Sequence, residues 1–172
     1  VDVRRVTLAG VPVLDRVFVA VRDVDWGTLP PVIADDWEVS ADPATGRVDL
    51  RFEAQHAGLG IRFRWQGRIS VGPGPSLSMA MDGIADAEFR YARIGLCALL
   101  PASSMAGASI STRTATGATR QDVLPQRIGP QLIIDGVDQP LIPAFREMDV
   151  TLPGARIVLR FEGDDFELED QR

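Results

Sequence analysis

The chain has 172 residues, of which 45% are hydrophobic and 24% are charged, and this composition excludes a disordered or fibrous protein. The length suits one domain around one core, so we expect residues 1–172 to form a single domain. The net charge of −6 provides no basic field for phosphate groups, which argues against nucleic acid or an anionic membrane as a partner.

An apolar–polar alternation with a period of two residues dominates the chain, as is typical of strands with one solvent-facing side. Such strands are predicted over residues 47–54, 61–71, 76–83 and 155–162. Trp65 is in phase with Ile61 and Phe63, which predicts a position in the core. Residues 11–22 and 93–100 are apolar on both sides, as expected for central strands or for strands at a domain contact.

Turn signals rich in proline and glycine separate these segments, and no segment keeps a helical apolar period through three turns. We therefore predict an all-β fold, specifically a two-layer antiparallel β-sandwich of about ten or more strands. Residues 103–120 are rich in serine, threonine, alanine and glycine, and we expect a polar outer strand with a loop there.

The single cysteine, Cys97, lies in the apolar run IGLCALL and has no second cysteine with which to form an internal disulfide. It is best explained as a small buried hydrophobic residue in a reducing compartment. The chain has no apolar run long enough to span a bilayer and no signal-peptide pattern at its start. A cytoplasmic location is the resulting prediction.

Most catalytic and cofactor templates lack the residues that they need. His56 is the only histidine and no G-x-S-x-G motif accompanies it, so a surface or turn position is expected in place of a role in a triad. A zinc site would need histidine or cysteine ligands that are missing here. No glycine-rich phosphate loop opens a helix either, so we expect no metal and no cofactor.

The segment RDVDWGT places Arg22, Asp23, Asp25 and Trp26 where a strand breaks into a turn, which is a usual position for a binding loop. Carboxylates, arginines and an aromatic face form the residue set that carbohydrate sites use. The alternative is structural: an Arg–Asp surface pair with a tryptophan that plugs the end of the sandwich.

The chain ends on FEGDDFELEDQR, which contains six carboxylates. A solvated strand face is favoured over a calcium site, because the spacing of a calcium-binding loop is absent. Phe166 and Leu168 would form the inward side of a last strand, beside an arginine-bearing strand such as residues 156–160. Glu169, Asp170 and Arg172 would then begin a junction to a further domain.

Three segments together resemble the N-terminal region of D-apionate lactonase-like proteins, bacterial enzymes of branched-pentose catabolism: VPVLDRVFVAVRDVDWGTLPP, RIGLCALLP and FEGDDFELEDQR. The family pattern has asparagine where Asp25 stands and histidine where Leu100 stands. The resemblance implies an N-terminal β-sandwich followed by a TIM-like barrel and a smaller β domain. It implies hydrolysis of D-apionolactone to D-apionate by the whole protein, with this domain alone not catalytic.

Expected partners are therefore the downstream barrel domain of the same chain and a small sugar acid or lactone. Arg22, Asp25, Trp26 and Arg93, together with the junction residues, are the candidates for ligand or domain contacts. The sandwich also resembles galactose-mutarotase-like supersandwiches, but His56 lacks the second histidine of those epimerases. A stand-alone carbohydrate-binding sandwich and a purely structural interaction domain are the alternative functions.

Overall fold

The computed structural model describes residues 1–127, 129–130, 132–134 and 137–169, and these form sixteen strands and one four-residue helix. The predicted all-β fold is confirmed, and the strand registers observed are antiparallel. Within these residues, no helix has the length and apolar character needed to cross a membrane.

The strands are β1 (Val3–Leu8), β2 (Val11–Arg22), β3 (Val32–Ile33), β4 (Glu38–Asp42), β5 (Arg47–Gly58), β6 (Ile61–Val71), β7 (Leu77–Ala85), β8 (Arg93–Leu99), β9 (Ser109–Arg113), β10 (Thr119–Val123), β11 (Leu132–Ile134), β12 (Val137–Gln139), β13 (Ile142–Phe145), β14 (Glu147–Leu152), β15 (Ala155–Arg160) and β16 (Phe166–Leu168), and the helix is α1 (Ala102–Met105).

The described residues divide into two compact units, each with its own hydrophobic core. Unit 1 contains Val1–Arg4 and Asp15–Leu99, and unit 2 contains Arg5–Leu14 and the described residues from Leu100 onward. Strands β1 and β2 therefore contribute residues to both units. A single domain over residues 1–172 stays a prediction.

In unit 1, the sheet β3–β5–β6–β7, with β4 also paired to β5, encloses a core with the pair β2–β8. The alternation of inward and outward side chains accounts for this arrangement, because every second residue of β6 from Ile61 to Gly67 is buried. Trp65 is 3% exposed and its ring meets that of Phe52 edge to face at 5.2 Å, which confirms its predicted core position. The buried members are Val19, Val21, Leu29, Phe52, Ala54, Ile61, Phe63 and Trp65.

The outward side of the same sheet carries arginines that pair with carboxylates. Asp49 accepts hydrogen bonds from Arg47 and Arg68, both at 2.7 Å, and from the hydroxyl of Ser70 at 2.6 Å. The bond from Arg47, followed by those from Ser70 and Arg68, holds the pKa of Asp49 well below its usual range. Much of the arginine charge on this side is thus compensated locally.

Unit 2 is built on the sheet β10–β9–β14–β15, and the pair β13–β16 lies in the same unit. Its core combines Val13 of β2 with buried residues of β9, β13 and β14, including Ile110, Phe145 and Met148. Strands from more than one sheet thus enclose a core in each unit, which confirms the predicted antiparallel sandwich.

Residues 103–120 differ from the prediction of one polar outer strand with a loop. Part of helix α1 and strand β9 fall in this range, and β9 lies between β10 and β14. Ile110 and Thr112 of β9 are 2% and 5% exposed, so the strand has one buried side. The small polar residues concealed this, because threonine favours strands but its hydroxyl gives no apolar signal that marks the buried side.

The acidic end confirms one prediction and corrects another. Phe166 and Leu168 are half-buried against the core of unit 2, as predicted for the inward side of a last strand. The partner of β16 is β13, with Phe166 opposite Phe145, and the predicted partner at residues 156–160 instead pairs with β14. The ring of Phe161 stacks on Phe166 at 4.1 Å, so aromatic contacts hold this end.

Two glycines in unit 1 face aromatic rings across the sheet. A Cβ on Gly67 would lie 2.2 Å from Cζ of Phe52, and a Cβ on Gly83 would lie 2.2 Å from Cζ of Phe63. Both rings are buried, at 4% and 7% exposure, so they have little room to move away. Because glycine has no side chain at these two positions, the rings of Phe52 and Phe63 fit into the core.

Gly67→Ala should lower the free energy of unfolding by about 1–3 kcal/mol, because the added methyl group overpacks the site. The measurement is the midpoint of urea unfolding. Gly95→Ala is the matched control, since a Cβ at this strand glycine meets nothing within 4 Å. Equal midpoints for the two variants would contradict the tight packing described here.

His56 is buried in β5 at 1% exposure, so the prediction of a surface or turn histidine was wrong. Its Nδ1 donates a hydrogen bond to the carbonyl oxygen of Leu29 at 2.9 Å, whereas Nε2 has no partner among the described residues. Burial lowers the pKa of His56 below its usual value of 6.5, although the bond to Leu29 opposes this shift. The folded chain thus keeps a neutral imidazole.

The stability of the chain should fall as the pH drops below about 6.5, by at most about 1.4 kcal/mol per pH unit. In that range the unfolded chain gains a proton on His56 that the folded chain does not take up until the lowered pKa is reached. Urea unfolding midpoints between pH 7.5 and 5 measure the slope. His56→Asn keeps an amide donor for Leu29 and does not titrate, so it should flatten the slope; an unchanged slope would refute the assignment.

Candidate functional site

The site centres on the Trp26 loop, defined as residues 23–27, in unit 1. The loop begins directly after β2, and Arg22 forms an antiparallel bridge with Thr28. Backbone bonds close it, from the N–H of Asp23 to the carbonyl of Gly27 at 3.0 Å and from the N–H of Trp26 to the carbonyl of Asp23 at 3.1 Å. The loop is therefore a tight connection with defined geometry.

The carboxylate of Asp23 organises the interior of the loop. Its Oδ1 accepts the N–H groups of Asp25 at 3.0 Å and Gly27 at 2.6 Å, as aspartates commonly do in turns. A Cβ on Gly27 would lie 2.9 Å from Oδ2 of Asp23, so a larger residue would not fit without displacing that carboxylate. The sequence analysis did not assign this role to Asp23. A signal for it was present, because an aspartate in a turn often accepts a hydrogen bond from the backbone N–H two residues later.

Trp26 has an unfavourable backbone conformation and an exposed side chain in this loop. Its φ is +65°, a left-handed conformation that costs a residue with a Cβ roughly 1–2 kcal/mol. The side chain is 51% exposed, so the alternative in which it plugs the end of the sandwich was wrong. Neither the conformation nor the exposure helps the chain to fold.

Two arginines lie close to the Trp26 ring. Arg22 and Arg93 are directly opposite each other in the β2–β8 pairing, and their Cζ atoms lie 6.0 Å and 5.4 Å from the ring centroid. These distances are within the range of cation–π attraction. Both guanidinium groups therefore lie next to one aromatic ring.

Further contacts fix Arg22 and the neighbouring backbone. Nη1 of Arg22 donates to Oγ1 of Thr28 at 3.0 Å and to the carbonyl of Trp26 at 3.5 Å. The N–H of Ala92 bonds to the carbonyls of Arg22 and Asp23 at 3.1 Å and 3.2 Å. The loop is thus tied to the residues that lead into β8.

The structure brings together four of the predicted site residues: Arg22, Asp25, Trp26 and Arg93. Asp25 is exposed on the loop itself. Glu169 is half-buried in unit 2, just after β16, and Asp170 and Arg172 lie outside the described residues. Over the described part of the chain, no group of three or more histidine, cysteine or acidic residues could hold a metal ion.

The arrangement presents side chains that can bind a ligand. Guanidinium groups bind carboxylates and other oxygen-rich groups, and an exposed indole face can pack against an apolar surface. The histidine of the chain is buried and donates to a backbone carbonyl, so it does not serve as a base for this loop. The guanidinium and indole groups gathered here are thus suited to ligand recognition.

Asp23→Ala should lower the free energy of unfolding by about 1–2 kcal/mol, because two N–H groups of the loop lose their acceptor. Asp23→Asn should lose less, since its amide oxygen can still accept. Asp25→Ala is the matched control on the same loop and should stay within about 0.5 kcal/mol of the parent chain. Urea unfolding of the three variants provides the comparison, and equal losses for Asp23→Ala and Asp25→Ala would contradict the organising role.

A known protein family matches the chain over its full length. The family model described as D-apionate lactonase, N-terminal domain, matches residues 1–172. A curated D-apionate lactonase from Brucella anthropi is 29% identical over 174 residues, which cover 99% of this chain and 27% of that protein. No solved structure matches the chain, so the galactose-mutarotase-like form of the sandwich stays a prediction. By the match along its whole length, the chain belongs to the D-apionate lactonase N-terminal domain family.

Proposed function

We propose that this chain is the N-terminal β-sandwich of an enzyme that hydrolyses a sugar lactone, with D-apionolactone as substrate and D-apionate as product. The observation that carries the proposal is the family match over residues 1–172, together with the relative named D-apionate lactonase. The chain spans 27% of the length of that relative. A larger enzyme of which this is one domain is consistent with that proportion.

The domain supports or completes the active site of a following TIM-like barrel and does not cleave the lactone itself. Lactone hydrolysis needs a positioned nucleophile or an activated water. The only histidine of the chain, His56, is buried and donates its Nδ1–H to the carbonyl of Leu29, so it is not positioned as a base beside the Trp26 loop. The barrel of the same chain and a small sugar acid or lactone are therefore the proposed partners, with no cofactor.

The test compares three proteins: the full-length natural protein, residues 1–172, and the full-length protein without residues 1–172. D-apionolactone hydrolysis is followed by acid release. We expect activity from the full-length protein, none from residues 1–172, and a decrease of about tenfold or more when the domain is deleted, as for the loss of substrate-positioning contacts. Full activity from residues 1–172 would refute the supporting role, and a full-length protein that leaves D-apionolactone intact would refute the substrate.

A stand-alone carbohydrate-binding module is the second candidate, and the exposed Trp26 beside two arginines favours it. Such a module keeps measurable affinity for pentoses or their lactones without any further domain. Calorimetric titration of residues 1–172 decides between the two, because a supporting domain of a lactonase would bind these sugars only as part of the larger protein.

A further inference from the structure

We propose that the outward side of the sheet β10–β9–β14–β15 in unit 2 binds a neutral sugar, either a free sugar or part of a glycan chain. We call the site the unit 2 groove. Side chains from all four strands line it: Gln121 of β10, Ser109 and Ser111 of β9, Asp149 and Thr151 of β14, and Arg156 of β15. The groove is separate from the Trp26 loop, which belongs to unit 1, and it does not rest on the proposed function.

The lengths of the side chains explain why a groove forms on this side of the sheet. The central strand β9 carries the short side chains of Ser109 and Ser111, whereas the flanking strands carry the long side chains of Gln121 and Arg156. The depression between them has a volume of about 310 Å³. Small-molecule sites have volumes of about 300–1,000 Å³, and four neighbouring strands extend over about 14 Å. The groove therefore has room for a sugar.

The outward side of the unit 1 sheet provides a comparison. There the central strands β5 and β6 carry long charged side chains, such as Asp49, Arg51, Arg64 and Arg68, and Arg68 bonds across the strands to Asp49 at 2.7 Å. Such a side is a solvated, ion-paired surface. The unit 2 groove differs because short hydroxyl side chains occupy its central positions.

The hydrogen-bonding groups of the groove match those of a sugar. Nε2 of Gln121 donates to Oγ of Ser111 at 2.9 Å, which orients the amide and leaves its carbonyl oxygen to accept from a ligand. The hydroxyl of Ser111 keeps its own proton to donate, and those of Ser109 and Thr151 can both donate and accept. Because sugar hydroxyls also donate and accept, each of these groups can pair with one.

The two charged side chains of the groove neutralise each other. Nε of Arg156 donates to Oδ1 of Asp149 at 2.9 Å, and Nη2 donates to Oδ2. These bonds hold the pKa of Asp149 below its usual value, so the carboxylate is ionised at neutral pH and the pair has no net charge. The carboxylate oxygens can still accept from hydroxyl groups. The groove therefore suits a neutral polyhydroxylated ligand better than an anion.

The test is calorimetric titration of the full-length natural protein with xylotetraose, with cellotetraose and with the monosaccharide D-xylose. Thr151→Val removes one hydroxyl from the groove and keeps a side chain that favours strands. Ser111→Leu fills the groove. The matched controls are Thr119→Val and Thr119→Leu, because Thr119 is exposed on the same side of β10 and does not line the groove.

We expect the dissociation constant for the bound sugar to rise about fivefold in Thr151→Val, as for the loss of one hydrogen bond between neutral groups, and to rise further in Ser111→Leu. The two Thr119 variants should bind as the parent protein does. Affinity should be the same at low and high salt, because screening acts on charged ligands. Tighter binding of a tetrasaccharide than of D-xylose assigns the groove to a glycan chain, and equal binding assigns it to a free sugar.

Absence of binding of all three sugars by the parent protein would overturn the inference. Equal dissociation constants for Thr151→Val and Thr119→Val would do the same, since binding would then occur elsewhere. Hydrolysis of D-apionolactone by the parent protein decides the proposed function separately, because it does not depend on whether the groove binds a sugar.

Discussion

The register of the hairpin β5–β6 is the constraint on which unit 1 depends. Leu59 and Gly60 both have positive φ, at 50° and 79°, as in the two-residue turns that match the twist of antiparallel strands. From this turn the pairing runs without interruption from Gly58 opposite Ile61 to Val48 opposite Val71. A slip of one residue would move Trp65 to the solvent side and an arginine into the core, because side chains alternate between the two sides.

The same register also supports the Trp26 loop. It places His56 on the buried side of β5, where Nδ1 reaches the carbonyl of Leu29. Leu29 is 5% exposed, and its N–H bonds to the carbonyl of Val21, which is fully buried. The loop therefore leaves the core at Val21 and returns to it at Leu29, and the segment between them can hold Trp26 in an unfavourable conformation.

Local patterns in the sequence were sufficient for much of the fold. Alternation predicted the strands of unit 1 and the core position of Trp65, because the period of two is a property of each strand alone. The position of Trp26 at a strand end followed from the break in that pattern. Pairing between distant segments was beyond such reasoning: β16 joins β13, and Arg93 lies opposite Arg22, in registers that only the complete fold determines.

Buried or structural polar residues were the second feature that the sequence did not predict. His56 occupies an apolar phase of β5, which points to the core, but its hydrogen-bond partner is 27 residues away. The local sequence therefore does not show that the N–H of a buried ring would find an acceptor. The role of Asp23 was missed for a different reason. Its partners are backbone N–H groups, and an aspartate at a turn position suits both this role and contact with a ligand. The turn signal alone therefore did not decide between the two roles.

Because β2 is divided between the two units, cutting the chain at a single point cannot separate them. Val13 belongs to the buried core of unit 2, with Val6, Leu8 and Val11 packed against it, although these residues precede most of unit 1 in the chain. A fragment that ends at residue 99 would expose these apolar side chains, and the complementary fragment would have a gap in its core. Neither unit is a contiguous gene segment, so recombination can exchange this region as a whole more readily than either half.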